Sequence, residues 1–189
     1  MNRPEYLLAL VSILVGLALA DLLQGFHRLI RIRRRVRWDW LALAWAALMF
    51  FLIVQTWWAF YSIVQAPAWD NLFAFLAPLS MFVVLYLLCA AALPDAEPRD
   101  EVDLEEFYFA QRGWFFGLGA VFVLLAGLQQ VVREGFSWSS VEAMRLAPLT
   151  LMLLLALNRR RAVHVAATLA ATAFLLYFAA AFTLRLASN

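Results

Sequence analysis

Apolar residues along this chain form six runs of about twenty positions, each bounded by charged or turn-forming residues. The runs cover approximately residues 5 to 26, 40 to 63, 71 to 93, 113 to 132, 139 to 157 and 162 to 184. A helix rises about 1.5 Å per residue, so about twenty residues cross a hydrocarbon core of about 30 Å while satisfying their own backbone hydrogen bonds. The pattern predicts an all-α, polytopic integral membrane protein with six transmembrane helices in one domain over residues 1–189.

Composition agrees with that class. Hydrophobic residues make up 66% of the chain and charged residues 15%, and the mean hydropathy of +0.80 lies outside the range of soluble globular proteins. Every basic residue is Arg, and Ala and Leu dominate the apolar positions, which favours a bacterial source. The single cysteine, Cys89, excludes an intrachain disulfide and is expected to be a small buried hydrophobic residue.

Arginine placement predicts an orientation. Six arginines lie between the first two runs: Arg28, Arg31, Arg33, Arg34, Arg35 and Arg37. If this loop is cytoplasmic, alternation of the helices places eleven arginines inside and three outside, as the positive-inside rule requires. We therefore expect a bacterial inner (cytoplasmic) membrane protein with both termini periplasmic. The same six arginines are expected to attract anionic lipid headgroups, and the loop is too short to dock nucleic acid.

A signal peptide is an alternative interpretation of the first twenty residues, with Ala18-Leu19-Ala20 as the cleavage site. Cleavage there would place the arginine-rich stretch just after an exported terminus, against the positive-inside rule. An uncleaved first helix is the prediction.

The segment 95 to 112 carries seven acidic residues in its first twelve positions. We predict a short interfacial helix with an acidic early turn, lying on the same side of the membrane as the arginine-rich loop. Salt bridges between the two loops are the simplest use of these charges. A protein partner docking at Glu101, Asp103, Glu105 and Glu106 is the alternative.

Short matching pentapeptides recur at 8 to 12, 76 to 80 and 146 to 150 (LALVS, LAPLS and LAPLT). They suggest three helical-hairpin repeats, although chance matches are common in a chain this rich in Leu and Ala. Small residues four apart, such as Gly16 with Ala20 and Gly113 with Gly117, suggest close helix packing within the molecule.

Two groups of polar residues inside the runs are candidate sites. The first, on the cytoplasmic side, is a candidate proton or ion site formed by Asp21, Gln24, His27 and His164. The alternative for Asp21 is a structural ion pair with Arg28 or Arg161.

The second group is a candidate outer polar cavity formed by Gln55, Gln129, Gln130, Glu142 and Arg145. Pro78 and Pro148 lie at similar depths and each frees a helix carbonyl. The alternative is that Arg145 extends to the interface beside Glu142 and that the prolines only kink their helices.

No signature of a named catalytic class is present, and we predict no catalytic residues, no metal and no cofactor. The expected function is binding or transport of a small solute or ion without ATP hydrolysis by the chain itself. The alternative is a non-catalytic membrane subunit or assembly or scaffold factor of a larger complex.

Overall fold

The computed structural model of the protein describes the backbone of residues 3–63, 72–97, 99–134 and 140–187, and the side chains of residues 5–61, 76–97, 99–131, 146–177 and 179–180. These ranges contain six helices: α1 (Arg3–Arg31), α2 (Trp40–Ile63), α3 (Leu72–Ala91), α4 (Leu104–Glu134), α5 (Ser140–Leu157) and α6 (Arg161–Ala187). Two short strands, β1 (Val36–Arg37) and β2 (Val102–Asp103), precede α2 and α4. The predicted all-α class is confirmed.

Three of the helices are long and apolar enough to cross a membrane. The qualifying stretches are Glu5–Arg31 in α1, Trp40–Tyr61 in α2 and Leu104–Val131 in α4. One face of α1 is buried in the bundle through Leu7, Val11 and Ala18, while Ile13 and Leu17 are exposed. A helix that is apolar on both its buried and its exposed face is typical of a position between protein and lipid.

The helix bounds follow the apolar runs except at the start of α4. The short interfacial helix predicted over 95 to 112 is found only from Leu104, where α4 begins and runs unbroken into the apolar run, whereas residues 94–97 and 99–101 are not helical. The acidic first turn is present, with Glu105 and Glu106. The helix begins at this point because the Asp103 carboxylate accepts hydrogen bonds from the backbone N–H groups of both glutamates, at 2.9 and 3.1 Å.

The bundle is assembled around α4 and α1. Helix α4 packs on α3 and α5, α1 packs on α3 and α2, and α2 also contacts α3, α4 and α6. An edge-to-face contact between Trp45 and Phe116, with ring centroids 4.9 Å apart, fills the junction of α2 and α4.

The closest helix approaches are not at the small-residue pairs that the sequence suggested. A Cβ atom added at Gly16, Gly113 or Gly117 would meet nothing within 4 Å. At Gly119 it would lie 2.8 Å from the Met152 Sδ atom. Gly119 is therefore the glycine of α4 that lies against α5, and a Cβ atom there would require the flexible end of the Met152 side chain to shift.

Gly119→Ala and Gly117→Ala form a matched pair of tests. In a helix, Ala is favoured over Gly by about 0.5–1 kcal/mol, so we expect Gly117→Ala to raise the stability of the protein in detergent. We expect the Gly119→Ala protein to be less stable than the Gly117→Ala protein, because the Met152 side chain must move to make room for the added Cβ atom. Thermal unfolding followed by circular dichroism measures both, and equal gains would contradict the close approach.

Candidate functional site

The arginine-rich loop and the acidic loop are joined by a short parallel strand pair. Strand β1 pairs with β2 in the register Val36 with Val102 and Arg37 with Asp103. Arg37 Nη1 also lies 2.8 Å from Asp103 Oδ2, in a salt bridge across the pair. We call this region, residues 28–39, 92–97, 99–112 and 158–164, the charged end.

Two further contacts cross the same pair of loops. Arg28 forms a salt bridge with Asp95 at 3.2 Å, and Arg35 donates a hydrogen bond to the Arg99 carbonyl at 3.1 Å. The predicted salt-bridge network between the two loops is confirmed. Its exposed pairs contribute little individually, about 0–1 kcal/mol each.

A buried carboxylate, Asp39, holds three helices together at the charged end. Its Oδ1 atom accepts the backbone N–H of Leu41 at 2.8 Å and so caps α2, while its Oδ2 atom accepts Arg161 Nη2 at 2.5 Å. Arg161 Nη1 in turn lies 2.5 Å from Glu105 Oε1 on α4. The hydrogen bond to Asp39 is the main reason that the pKa of Arg161 is raised above its ordinary value. Asp39 is 6% exposed, so this pair is screened far less than the surface pairs.

Helices α2 and α4 each start with an aspartate cap, Asp39 and Asp103. Helix α6 has no such cap among the described residues: the Asn158 side-chain oxygen accepts the N–H of Arg160 at 2.7 Å, in a turn just before the helix begins at Arg161. Hydrogen bonding by the Glu106 N–H lowers the pKa of Asp103, and the hydrogen bond from Arg37 acts in the same direction. The three helical hairpins stay a prediction.

His164 is fully buried between α4 and α6. Its Nε2 atom lies 3.1 Å from the Asn158 carbonyl, which can only accept, so Nε2 carries the hydrogen. Nδ1 is then the acceptor for the Tyr108 hydroxyl at 2.8 Å. One turn further on, Thr168 accepts the Trp45 indole N–H at 3.0 Å. Both nitrogens of His164 are thus engaged inside the bundle, in a polar chain that joins α2, α4 and α6.

The structure does not gather the predicted cytoplasmic-side residues into one site. Gln24 and His27 are exposed on α1, whereas His164 is buried on α6, a helix that packs mainly on α2 and α5. Asp21 is half-buried and, among the described residues, makes no hydrogen bond or ion pair. Its two suggested partners, Arg28 and Arg161, bind other carboxylates.

In the predicted outer group, Gln55 differs from its neighbours. Both polar atoms of its side chain are buried, and neither has a hydrogen-bond partner among the residues that the structure describes. By contrast, the Thr56 hydroxyl donates to the Leu52 carbonyl at 2.7 Å, and the Trp57 indole N–H donates to the Ser12 hydroxyl at 3.1 Å. Gln55 is therefore a buried amide with its hydrogen-bonding capacity unused.

The other residues of the predicted outer group have different contacts. Gln129 donates from Nε2 to the Ala77 carbonyl at 2.7 Å, beside the buried Pro78 of α3. Gln130 is half-buried and interacts with the rest of the chain. Positions 142 and 145 belong to α5, but the side chains of Glu142 and Arg145 lie outside the described residues. A shared cavity stays a prediction.

The charged end also contains an open cleft of about 610 Å³ that sequence reasoning missed. Its lining has both signs of charge and one aromatic ring: Arg37, Asp103, Glu105, Glu106, Phe109, Ala110, Arg112 and Arg159. Asp39 was missed as well. Its sequence signal is an Asp directly before an apolar helical run, the usual place of an N-cap.

Comparisons with protein-family models, with curated proteins and with solved structures give no match to this chain. Its function is therefore argued from its own residues.

Three substitutions separate the roles of the charged-end carboxylates. Asp39→Ala removes the cap and one of the two carboxylates that bind Arg161, and we expect it to destabilise the protein by about 1–3 kcal/mol. Asp39→Asn keeps a capping side chain and should cost less, about 0.5–1.5 kcal/mol. Asp95→Asn, at an exposed pair, should cost less than about 1 kcal/mol. Denaturant unfolding in detergent gives the order, and an Asp95 variant as unstable as Asp39→Ala would contradict the assignment.

Proposed function

We propose that the protein is a six-span protein of a bacterial inner membrane, with the charged end cytoplasmic and both termini periplasmic. Helices α3, α5 and α6, of 20, 18 and 27 residues, have lengths of about 30, 27 and 40 Å, enough to accompany α1, α2 and α4 across the bilayer. The excess of arginine at the charged end supports this orientation.

We further propose that the protein binds or passes a small polar solute or ion, without ATP hydrolysis of its own. The observation that carries this proposal is the unpaired buried amide of Gln55. Leaving a buried polar group unsatisfied costs about 1–3 kcal/mol, and an amide offers two donors and one acceptor to a bound species. A bound solute that completes these hydrogen bonds explains why an amide occupies this buried position. Packing alone does not explain it.

Two other polar groups inside the helices support a path for a polar solute or ion through the bundle. The Ala77 carbonyl on α3 accepts both Gln129 Nε2 and the Ser80 hydroxyl, each at 2.7 Å, beside a proline that lacks an N–H. Asp21, about 15 Å from the end of α1 at Arg31, is a candidate second binding point. Gln130, Glu142 and Arg145 are the remaining candidates that the sequence predicts for the same outer group.

Gln55→Met tests this proposal with two readouts, because Met has a similar shape and no amide. We expect it to abolish solute flux and at the same time to stabilise the protein by about 1–3 kcal/mol, since a buried unpaired group is removed. Flux is measured in proteoliposomes, with proton and K⁺ movement followed by dyes and with urea and glycerol permeation followed by swelling.

The matched control is Gln111→Met, which removes an amide from a half-buried position on α4 that belongs to neither candidate group. It should leave flux unchanged. If Gln55→Met destabilises the protein, the Gln55 amide has a partner in the wild-type protein, and the proposal loses the observation on which it rests. Flux of these probes no higher than in protein-free vesicles would contradict the transport function.

A second candidate function is a non-catalytic subunit or assembly factor that docks a protein through its acidic segment. Asp103 and Glu105 are already bound to Arg37 and Arg161. Glu101 and Glu106 are exposed, and no ion pair engages either of them within the described part of the chain. The surface available for docking is therefore centred on these two residues.

Glu101→Gln with Glu106→Gln tests this docking surface without disturbing the internal salt bridges. We expect the double variant to lose a partner that co-purifies with the wild-type chain in mild detergent. Asp95→Asn with Glu97→Gln removes the same charge from the same segment and should retain it. A wild-type protein that purifies alone would contradict this function.

A further inference from the structure

The six arginines of the first loop fall into two groups. Arg28, Arg35 and Arg37 bind Asp95, the Arg99 carbonyl and Asp103. The other three, Arg31, Arg33 and Arg34, are exposed and have no ion pair or side-chain hydrogen bond within the described residues. Folding therefore uses half of this positive charge and leaves the other half available.

The unused arginines line one concave surface. Arg31 is the last residue of α1, and the next turn, Arg33–Arg35, is a 3-10 helix. Together with Ile32, these arginines line an open pocket of about 350 Å³ whose lining contains no acidic residue. Guanidinium groups are planar forks that bind phosphate oxygens in pairs, so the surface has the chemistry of a phosphate site.

An exposed apolar strip leads along α1 to this pocket. Leu23, Phe26 and Ile30 are 55%, 41% and 39% exposed, and their spacing of three and four residues places them on one helix face. The apolar stretch of α1 is 27 residues, or about 40 Å, against a hydrocarbon core of about 30 Å. The last turns of α1 therefore extend to the depth of the lipid headgroups.

Two tryptophans mark the same depth. Trp38 and Trp40 follow the pocket in the chain and are 43% and 46% exposed. Tryptophan is enriched at the headgroup level of membranes, where its ring has an apolar body and one polar N–H. The pocket thus lies where a lipid phosphate would lie.

We propose that this surface binds one anionic phospholipid, with its phosphate in the pocket of Arg31, Arg33 and Arg34 and an acyl chain along Leu23, Phe26 and Ile30. Charge complementarity selects the anionic headgroup, and the apolar strip selects a lipid over a free phosphate. The site depends on the membrane location of the protein and is independent of any solute that it passes.

The test compares two triple variants in which each arginine is replaced by glutamine. Arg31→Gln, Arg33→Gln and Arg34→Gln remove the pocket, while Arg99→Gln, Arg159→Gln and Arg160→Gln remove the same charge from exposed positions elsewhere at the charged end. Binding of phosphatidylglycerol to the purified protein is measured by native mass spectrometry and by the rise in unfolding temperature. The pocket variant should bind roughly 100-fold more weakly, and the control should bind within about threefold of wild type.

Three probes distinguish the source of the phosphate: phosphatidylglycerol, phosphatidylcholine and inorganic phosphate. Stabilisation by phosphatidylglycerol alone supports the proposal. If both triple variants lose the same affinity for phosphatidylglycerol, the attraction is general to the positive charge and the proposal is overturned. Equal binding of phosphatidylcholine, or equal stabilisation by inorganic phosphate, would also overturn it. If the triple pocket variant does not fold, Arg33→Gln with Arg34→Gln gives the same comparison against Arg159→Gln with Arg160→Gln.

Discussion

The salt bridge between the buried Asp39 and the half-exposed Arg161 is the constraint on which the charged end depends. Asp39 is separated from Arg161 by 122 positions in the chain, and its carboxylate both starts α2 and binds the first residue of α6. Because Arg161 also reaches Glu105, the same guanidinium group binds the start of α4. The buried Asp39 carboxylate requires a partner, because an unpaired buried charge is costly. The helices α2, α4 and α6 are therefore held in one relative arrangement at this end.

Polar groups away from the charged end have different hydrogen-bonding environments. At the charged end, capping carboxylates, paired arginines and the Tyr108–His164 hydrogen bond join the helices, although Arg28 Nε, Arg112 Nε and Arg161 Nη1 are buried without a hydrogen-bond partner among the described residues. Each of these nitrogens belongs to a guanidinium group, and Arg161 Nη1 keeps its ion pair with Glu105. Further along α2, Gln55 differs because both polar atoms of its amide lack a partner among the described residues. This difference is the physical basis of the function we propose.

The helix pattern could be predicted from the sequence, but the use of its polar residues could not. Helix α2 covers the apolar run 40 to 63 because a twenty-residue apolar segment has few other solutions in lipid. Asp39 and Tyr108 were missed because their partners are distant in the chain. The sequence predicts His164 in one site with Asp21, yet His164 lies against Tyr108 on α4, because the packing of α6 depends on contacts that no local pattern encodes. The pairing of β1 with β2 involves two residues in each strand, too few to leave a periodic signal.

By itself the sequence determined the helical class of the protein, the number of its apolar helices, their approximate bounds apart from the start of α4, and the sorting of charge into one basic and one acidic loop. These properties depend on the free energy of transferring each segment from water to an apolar medium. That free energy is a sum of contributions from residues that are neighbours in the chain. Only the tertiary structure decided that Arg28, Arg35 and Arg37 are bound while Arg31, Arg33 and Arg34 are exposed, and that the Gln55 amide is unpaired while the Gln129 amide is bonded. A hydrogen bond or ion pair requires two specific groups within about 3 Å, and only the packing of whole helices brings such groups together.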